Sequence, residues 1–184
     1  NRGRRVPTFL VHSVAIGGGV GAETLPIEPL APATRVFDEV DAWLVLDALA
    51  GVVQRGTGRA LAPVTGGLRV AAKTGTSQNG RDGWFVLATP QAVVVAWVGR
   101  DDGRPAGLSG PRSALPVVRR MLSDCPGELL APLPDPPEGV EVVYLDEEDA
   151  CAWDEPRDGA RREVFRAGEA PARCRKSFWR RLFD

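Results

Sequence analysis

Lysine is scarce in this chain. Lys73 and Lys176 are the only two among 23 basic residues. Where arginine serves nearly everywhere, a lysine marks a position suited to a compact ammonium rather than a planar guanidinium, though codon bias alone can also deplete lysine. Net charge is lacking too: 23 Lys+Arg against 24 Asp+Glu leave −1, which gives no electrostatic argument for nucleic acid or a membrane surface. No apolar run approaches the roughly 20 residues of a membrane-spanning helix. The opening NRGRRVPTFLVHSVAIGGGV has the arginines and apolar residues of a signal peptide, but His12 and Ser13 interrupt it and three glycines follow. An initiating Met is absent, so the sequence reads as part of something longer. Cysteine is sparse, and Cys125, Cys151 and Cys174 leave the redox compartment open. What is present, 43% apolar and 26% charged residues over 184 positions, suits one ordinary globular domain, with or without a small appendage.

Residues 6–16, VPTFLVHSVAI, are β-branched and apolar and run into the turn signal GGGVGAE. TLPIEPLAPATRVF carries three prolines and reads as an extended surface connection. DEVDAWLVLDALAGVVQRG predicts a helix. Asp38 caps its start, Glu39 and Asp41 suit the positive end of the dipole, and Gly56 stops it. Val40, Leu44, Leu46, Leu49, Val52 and Val53 fall close to a buried stripe. Three strand-like segments follow: LRVAAKTG, GWFVLAT and AVVVAWVGR. Only Pro90 and Gln91 separate the last two, which requires a hairpin and antiparallel strands. RSALPVVRRML has helical spacing at Leu115, Val118 and Leu122, with Pro116 tolerated in a first turn. Five prolines in residues 126–137 mark the end of the main domain. The expected division is a body at 1–125, a Pro-rich linker at 126–139 and a small appendage at 140–184. In the tail, residues 135–150 carry seven acids and no base, whereas 151–184 carry nine bases against six acids.

The cluster Lys73-Thr74-Gly75-Thr76 closes the first of the three strands. A phosphate-cradling loop, G-x-x-x-x-G-K-[ST], is one reading of it. That loop would need glycine at position 72, which is Ala72, and a helix after Thr74, which Gly75, Gly80 and Gly83 forbid. The plain reading is a lysine at a strand end beside a polar turn. If the strand instead borders a cleft, Thr74 and Thr76 point to one side, and Gly75 lets a substrate backbone approach between them. Lys73 points to the other side and raises the positive potential. That set suits acylation by a carboxylate-bearing peptide.

K-T-G-[ST] is the third signature of penicillin-binding proteins and class A β-lactamases. VVQRGTGRAL at 52–61, KTGTSQNGRDGWF at 73–85 and WVGRDDGRPAGLSG at 97–110 together resemble the C-terminal half of the transpeptidase domain of bifunctional class A penicillin-binding proteins, type 1b above all. The resemblance implies an α+β fold of the penicillin-binding-protein and serine β-lactamase type. This is a five-stranded, mainly antiparallel sheet flanked by helices, of which this chain supplies the last three strands. It implies a D,D-transpeptidase that cross-links peptidoglycan stem peptides and is acylated by β-lactams, on the periplasmic face of the bacterial inner membrane. Lys73 would belong to the cationic wall of the cleft. Thr74, Gly75 and Thr76 would bind substrate, and the Thr76 N–H would form half of the oxyanion hole. No cofactor, metal or nucleic acid is implied. The partners would be the N-terminal half of its own transpeptidase domain and, in the cell, regulators of wall synthesis.

The family also needs S-x-x-K and S-x-N. None of the six serines is followed three residues later by lysine, and Ser77-Gln78-Asn79 spells S-x-N only as part of the loop after KTGT. The expectation is a transpeptidase fragment without its nucleophile, inactive alone. A β-lactamase or carboxypeptidase of the same fold, or a non-catalytic remnant, are the alternatives. His12 with Ser13 or Ser77 is a weak triad, since a lone His in an apolar strand is more often packed or at the surface. Arg81 and Asp82 resemble a feature beside the family's cleft or else form a turn ion pair. Trp84 and Trp97 match the family's aromatics and read as core, and Gly56-Thr57-Gly58 reads as backbone geometry after the helix rather than phosphate binding. By the same resemblance Cys151 and Cys174 would form a disulfide in the tail, against two unpaired thiols in a disordered one. Cys125 is left as a partly buried thiol. RKSFWRRLF at the end alternates cations with aromatics and reads as a short docking helix, or as a contact with a membrane or partner.

Overall fold

The computed structural model describes residues 1–8, 13–17, 23–27, 32–107, 109–146, 148 and 150–174. His12 and the terminal basic-aromatic segment lie outside the described residues. At the N-terminus, β1 (Arg4–Arg5) pairs with β4 (Thr34–Arg35), and β2 (Ser13–Ile16) pairs with β3 (Glu23–Pro26), both antiparallel. Part of the expected extended connection is therefore a strand, because Glu23–Pro26 pairs with Ser13–Ile16.

Helix α1 spans Glu39–Gln54. The Asp38 carboxylate accepts the Val40 N–H at 2.9 Å and caps its first turn. Its buried line is Val40, Trp43, Asp47, Ala50, Gly51 and Val53 rather than the all-aliphatic stripe expected, and Leu44, Leu46, Leu49 and Val52 are half-buried. The i, i+3/i+4 geometry selects this line, and a charge is tolerated on it because Asp47 is paired. A 3-10 stretch, Arg59–Val64, then leads to β5 (Ala71–Thr76). β5 pairs antiparallel with β6 (Gly83–Ala88), and β6 with β7 (Val93–Val98), giving the order β5-β6-β7. The turn at Pro90 and Gln91 is held by Thr89, whose Oγ1 accepts the Gln91 and Ala92 amides.

Helix α2 (Ala114–Asp124) covers one face of this sheet, with Pro116 in its first turn. Phe85, Leu87 and Ala72 meet Val53 of α1, Leu61, and Ala114, Leu115, Val118 and Leu122 of α2 in one apolar cluster. The opposite face is bare: Trp84, Val93, Val95 and Trp97 are 43–69% exposed. The two tryptophans are thus surface residues, not core, because no layer within the described residues covers that side. They lie directly opposite each other across β6 and β7, with ring centroids 6.3 Å apart.

One short turn, α3 (Pro126–Leu129), follows, and the Pro-rich stretch then runs against the body. Trp43 Nε1 donates to the Pro134 carbonyl at 3.0 Å, and Thr89 Oγ1 donates to the Leu129 carbonyl at 2.8 Å. Cys125 is exposed, since α2 ends with it on the solvent side. The appendage is not the loop-rich tail its polarity suggests. β8 (Val140–Asp146), β9 (Ala152–Trp153) and β10 (Ala160–Arg166) form an antiparallel sheet in the order β10-β8-β9. Cys151 is joined to Cys174, with Cα atoms 5.0 Å apart. No helix among the described residues is long and apolar enough to cross a membrane.

Candidate active site

β5 lies at one edge of its sheet, so one side of its backbone has no strand beside it among the described residues. Residues directly opposite in an antiparallel ladder share a face. Thr74 opposes the fully buried Phe85, and Thr76 opposes Gly83, so both threonines belong to the face covered by α2. Lys73 opposes Val86 and Gly75 opposes Trp84, on the bare face. The free edge thus has two hydroxyls on one flank and an ammonium on the other. The Lys73 Nζ donates to the Thr74 carbonyl at 2.5 Å. Gly75 is closely packed: a Cβ there would stand 3.0 Å from the Trp84 Cβ, tighter than an ordinary contact.

Each threonine hydroxyl is engaged from outside the motif. Thr74 Oγ1 and Thr57 Oγ1 are hydrogen-bonded at 2.8 Å. Thr76 Oγ1 accepts the Gly110 N–H at 3.0 Å. Gly110 can come so close only without a side chain, because a Cβ would sit 2.4 Å from the Gly75 carbonyl oxygen. Gly83 plays the matching part opposite, where a Cβ would fall 1.8 Å from Ser113 Oγ.

Ser77, Gln78 and Asn79 do form the loop between β5 and β6, with Asn79 at φ 61°. Ser77 Oγ donates to Asp82 Oδ2 at 2.9 Å and accepts the Asp82 N–H at 2.8 Å. Trp97 Nε1 donates to the other oxygen of Asp82 at 3.1 Å. Asp82 is therefore held by a serine and an indole rather than by the expected turn pair with Arg81. The loop after β7 is stapled by Asp102, which takes both Arg100 Nε and Nη2 and also accepts the Arg104 N–H. The Arg100 guanidinium, then that N–H, hold the Asp102 carboxyl below the usual carboxylate range. The same loop reaches back to the site, where the Ala106 N–H donates to the Gly80 carbonyl.

Sequence reasoning assigned Thr57 to backbone geometry after the helix and gave Gly110 no role of its own. The only local signal was the glycine on each side of Thr57, and the partner lies 17 residues away. Among the described residues no group of three or more His, Cys, Asp or Glu could hold a metal ion.

Residues 1–119 match the family model described as the penicillin binding protein transpeptidase domain. The chain belongs to that family. It is 36% identical over 137 residues to penicillin-binding protein 1B of Vibrio cholerae, covering 73% of this chain and 17% of that protein. With penicillin-binding protein 1B of Escherichia coli the identity is 37% over 123 residues, 66% of this chain and 14% of that protein. Penicillin-binding protein 1A of Aquifex aeolicus is 34% identical over 174 residues, 90% of this chain and 22% of that protein. The chain therefore spans less than a quarter of these relatives. The crystal structure of penicillin-binding protein 1A from Haemophilus influenzae shares the fold, with a TM-score of 0.61, 24% identity, 78% of this chain and 22% of that one.

Proposed function

We propose that this chain forms the KTGT wall of a serine-type D,D-transpeptidase that cross-links peptidoglycan. The observation that carries the reading is the free edge of β5, with Thr74 and Thr76 on one flank and Lys73 on the other. A substrate strand laid along that edge meets unpaired backbone N–H groups, two hydroxyl donors and one cation. The hydroxyls and Lys73 hold the terminal carboxylate of a stem peptide or the carboxylate of a β-lactam. The Thr76 N–H polarises the scissile carbonyl.

The nucleophile comes from elsewhere in the parent polypeptide. Its Oγ attacks the carbonyl carbon of the D-Ala–D-Ala bond, the C–N bond breaks, and the departing amine takes a proton. The acyl group then passes to an amine of a neighbouring stem. The N-terminal half of the same transpeptidase domain supplies that serine and covers the bare face carrying Trp84, Val93, Val95 and Trp97. The chain alone is then inactive, because no serine in it has a lysine three positions on. The site works on the periplasmic face of the inner membrane, in a parent that also carries a glycosyltransferase domain and answers to wall-synthesis regulators. An oxidising periplasm also suits the Cys151–Cys174 bond.

The test is the reading frame upstream of the Asn1 codon. An in-frame S-x-x-K followed by S-x-N is expected. A stop codon or unrelated sequence there would make this a non-catalytic remnant.

A further inference from the structure

The triplet Gly56-Thr57-Gly58 is built for more than ending α1. The Gly56 and Gly58 amides both donate to the Val52 carbonyl, at 3.1 and 2.9 Å, so the chain doubles back on the helix. A Cβ on Gly56 would stand 2.9 Å from Val52 Cα, and one on Gly58 would stand 3.2 Å from Val52 Cγ1. Two glycines thus allow a tight reversal whose tip, Thr57, reaches β5. There its hydroxyl meets that of Thr74 at 2.8 Å, in a solvent-exposed pair. The contact satisfies no buried polar group, so stability alone does not require it.

A hydroxyl has one hydrogen to donate and two lone pairs to accept. When Thr57 donates to Thr74, the Thr74 hydrogen is freed for a ligand, and that hydroxyl becomes a stronger donor through hydrogen-bond cooperativity. Thr76 is arranged the same way, with its oxygen accepting the Gly110 N–H and its hydrogen left to donate. With Thr57 as the donor, both hydroxyls are held through their oxygens by groups outside the motif, which presets a pair of donors for one anionic group. An adjoining groove of about 550 Å³ is lined by Arg55, which is paired with Glu163 at 3.3 Å, and by Arg59, whose guanidinium adds positive potential beside Thr57.

We propose that Thr57 is a positioning residue of the transpeptidase site: it orients the Thr74 hydroxyl as a donor to the carboxylate of the acyl donor. The inference rests on the reading of Thr74 and Thr76 as the carboxylate-binding pair. The test compares acylation of the full-length protein by benzylpenicillin, which carries a free carboxylate, and by its methyl ester. Acylation is followed by intact-mass spectrometry. Thr57→Val should slow acylation by the free acid about tenfold while leaving the ester rate unchanged, and Thr57→Ser should restore it. In a Thr74→Val background, Thr57→Val should have no further effect, because its action passes through Thr74. Equal losses on acid and ester would reduce Thr57 to a structural part and overturn the proposal, as would a wild-type rate in Thr57→Val or additive effects in the double variant. If the unaltered protein is acylated by neither probe, the transpeptidase reading itself falls, and the role of Thr57 with it.

Discussion

Asp47 is the charge most deeply held in the described structure. It sits on the buried line of α1 at 8% exposure, and its Oδ1 accepts from Arg69 at 2.5 Å and Arg162 at 3.0 Å. One carboxylate thereby joins the helix, the residue two positions before β5, and β10 of the appendage. Removing it leaves two half-buried guanidiniums without their partner, and Arg69 Nε already lacks one. Asp47→Ala should therefore lower stability by about 3 kcal/mol, measured by urea unfolding. A loss below about 0.5 kcal/mol, the range of ordinary surface substitutions, would contradict this account of the junction. Asp47 was not readable from sequence, because a helical stripe is inferred from apolar residues and its partners lie 22 and 115 residues away. Lys73, by contrast, stood out by rarity and by its neighbours. Trp84 and Trp97 were misread for a different reason: aromatics in alternating strands look like core until it is known which face has a cover.

At the scale of elements, α1 was readable from its cap and stop although its buried line was not the aliphatic one expected, and β5–β7 and α2 were readable from their apolar spacing. The two-residue turn fixed β6 against β7, and Leu115, Val118 and Leu122 of α2 are buried as their spacing requires. Phe85 is the largest fully buried side chain where sheet and helices meet. Phe85→Ala should accordingly cost about 3–5 kcal/mol, read from the unfolding midpoint. The appendage was harder, since strands rich in acids and arginines carry little apolar alternation. Charge supports its sheet as well as ladder bonds: Glu141 accepts from Arg173, and Arg166 donates to Asp41, tying β10 to α1. The Arg173 guanidinium first, then the Gly168 N–H, hold the Glu141 carboxyl below its ordinary value. A lowered folded pKa adds stability above the unfolded value, about 4.3, and loses it as pH falls through the folded one. The appendage should thus keep this contribution from neutrality to about pH 4 and lose it only in stronger acid. Glu141→Gln should flatten that acid limb in an NMR-monitored titration, and an unchanged limb would place the acid sensitivity elsewhere.

For the whole molecule, the uncovered side of the β5-β6-β7 sheet dominates behaviour. Val93, Val95, Trp84 and Trp97 form a continuous apolar surface, and the far edge of β7 has no partner among the described residues. The isolated chain should self-associate, and Val95→Glu should reduce that association without lowering the melting temperature. Sedimentation velocity checks this, and equal association of both proteins would assign the contact to another surface. The family was readable from three short blocks because each carries residues with specific geometric duties, which composition and periodicity do not encode.

The central claim, that β5 is the substrate wall of a penicillin-acylated transpeptidase, is tested most directly by labelling the full-length protein with a fluorescent penicillin. The account predicts covalent labelling that Lys73→Ala reduces by about a hundredfold or more while the protein stays folded. Labelling that survives Lys73→Ala unchanged would contradict it.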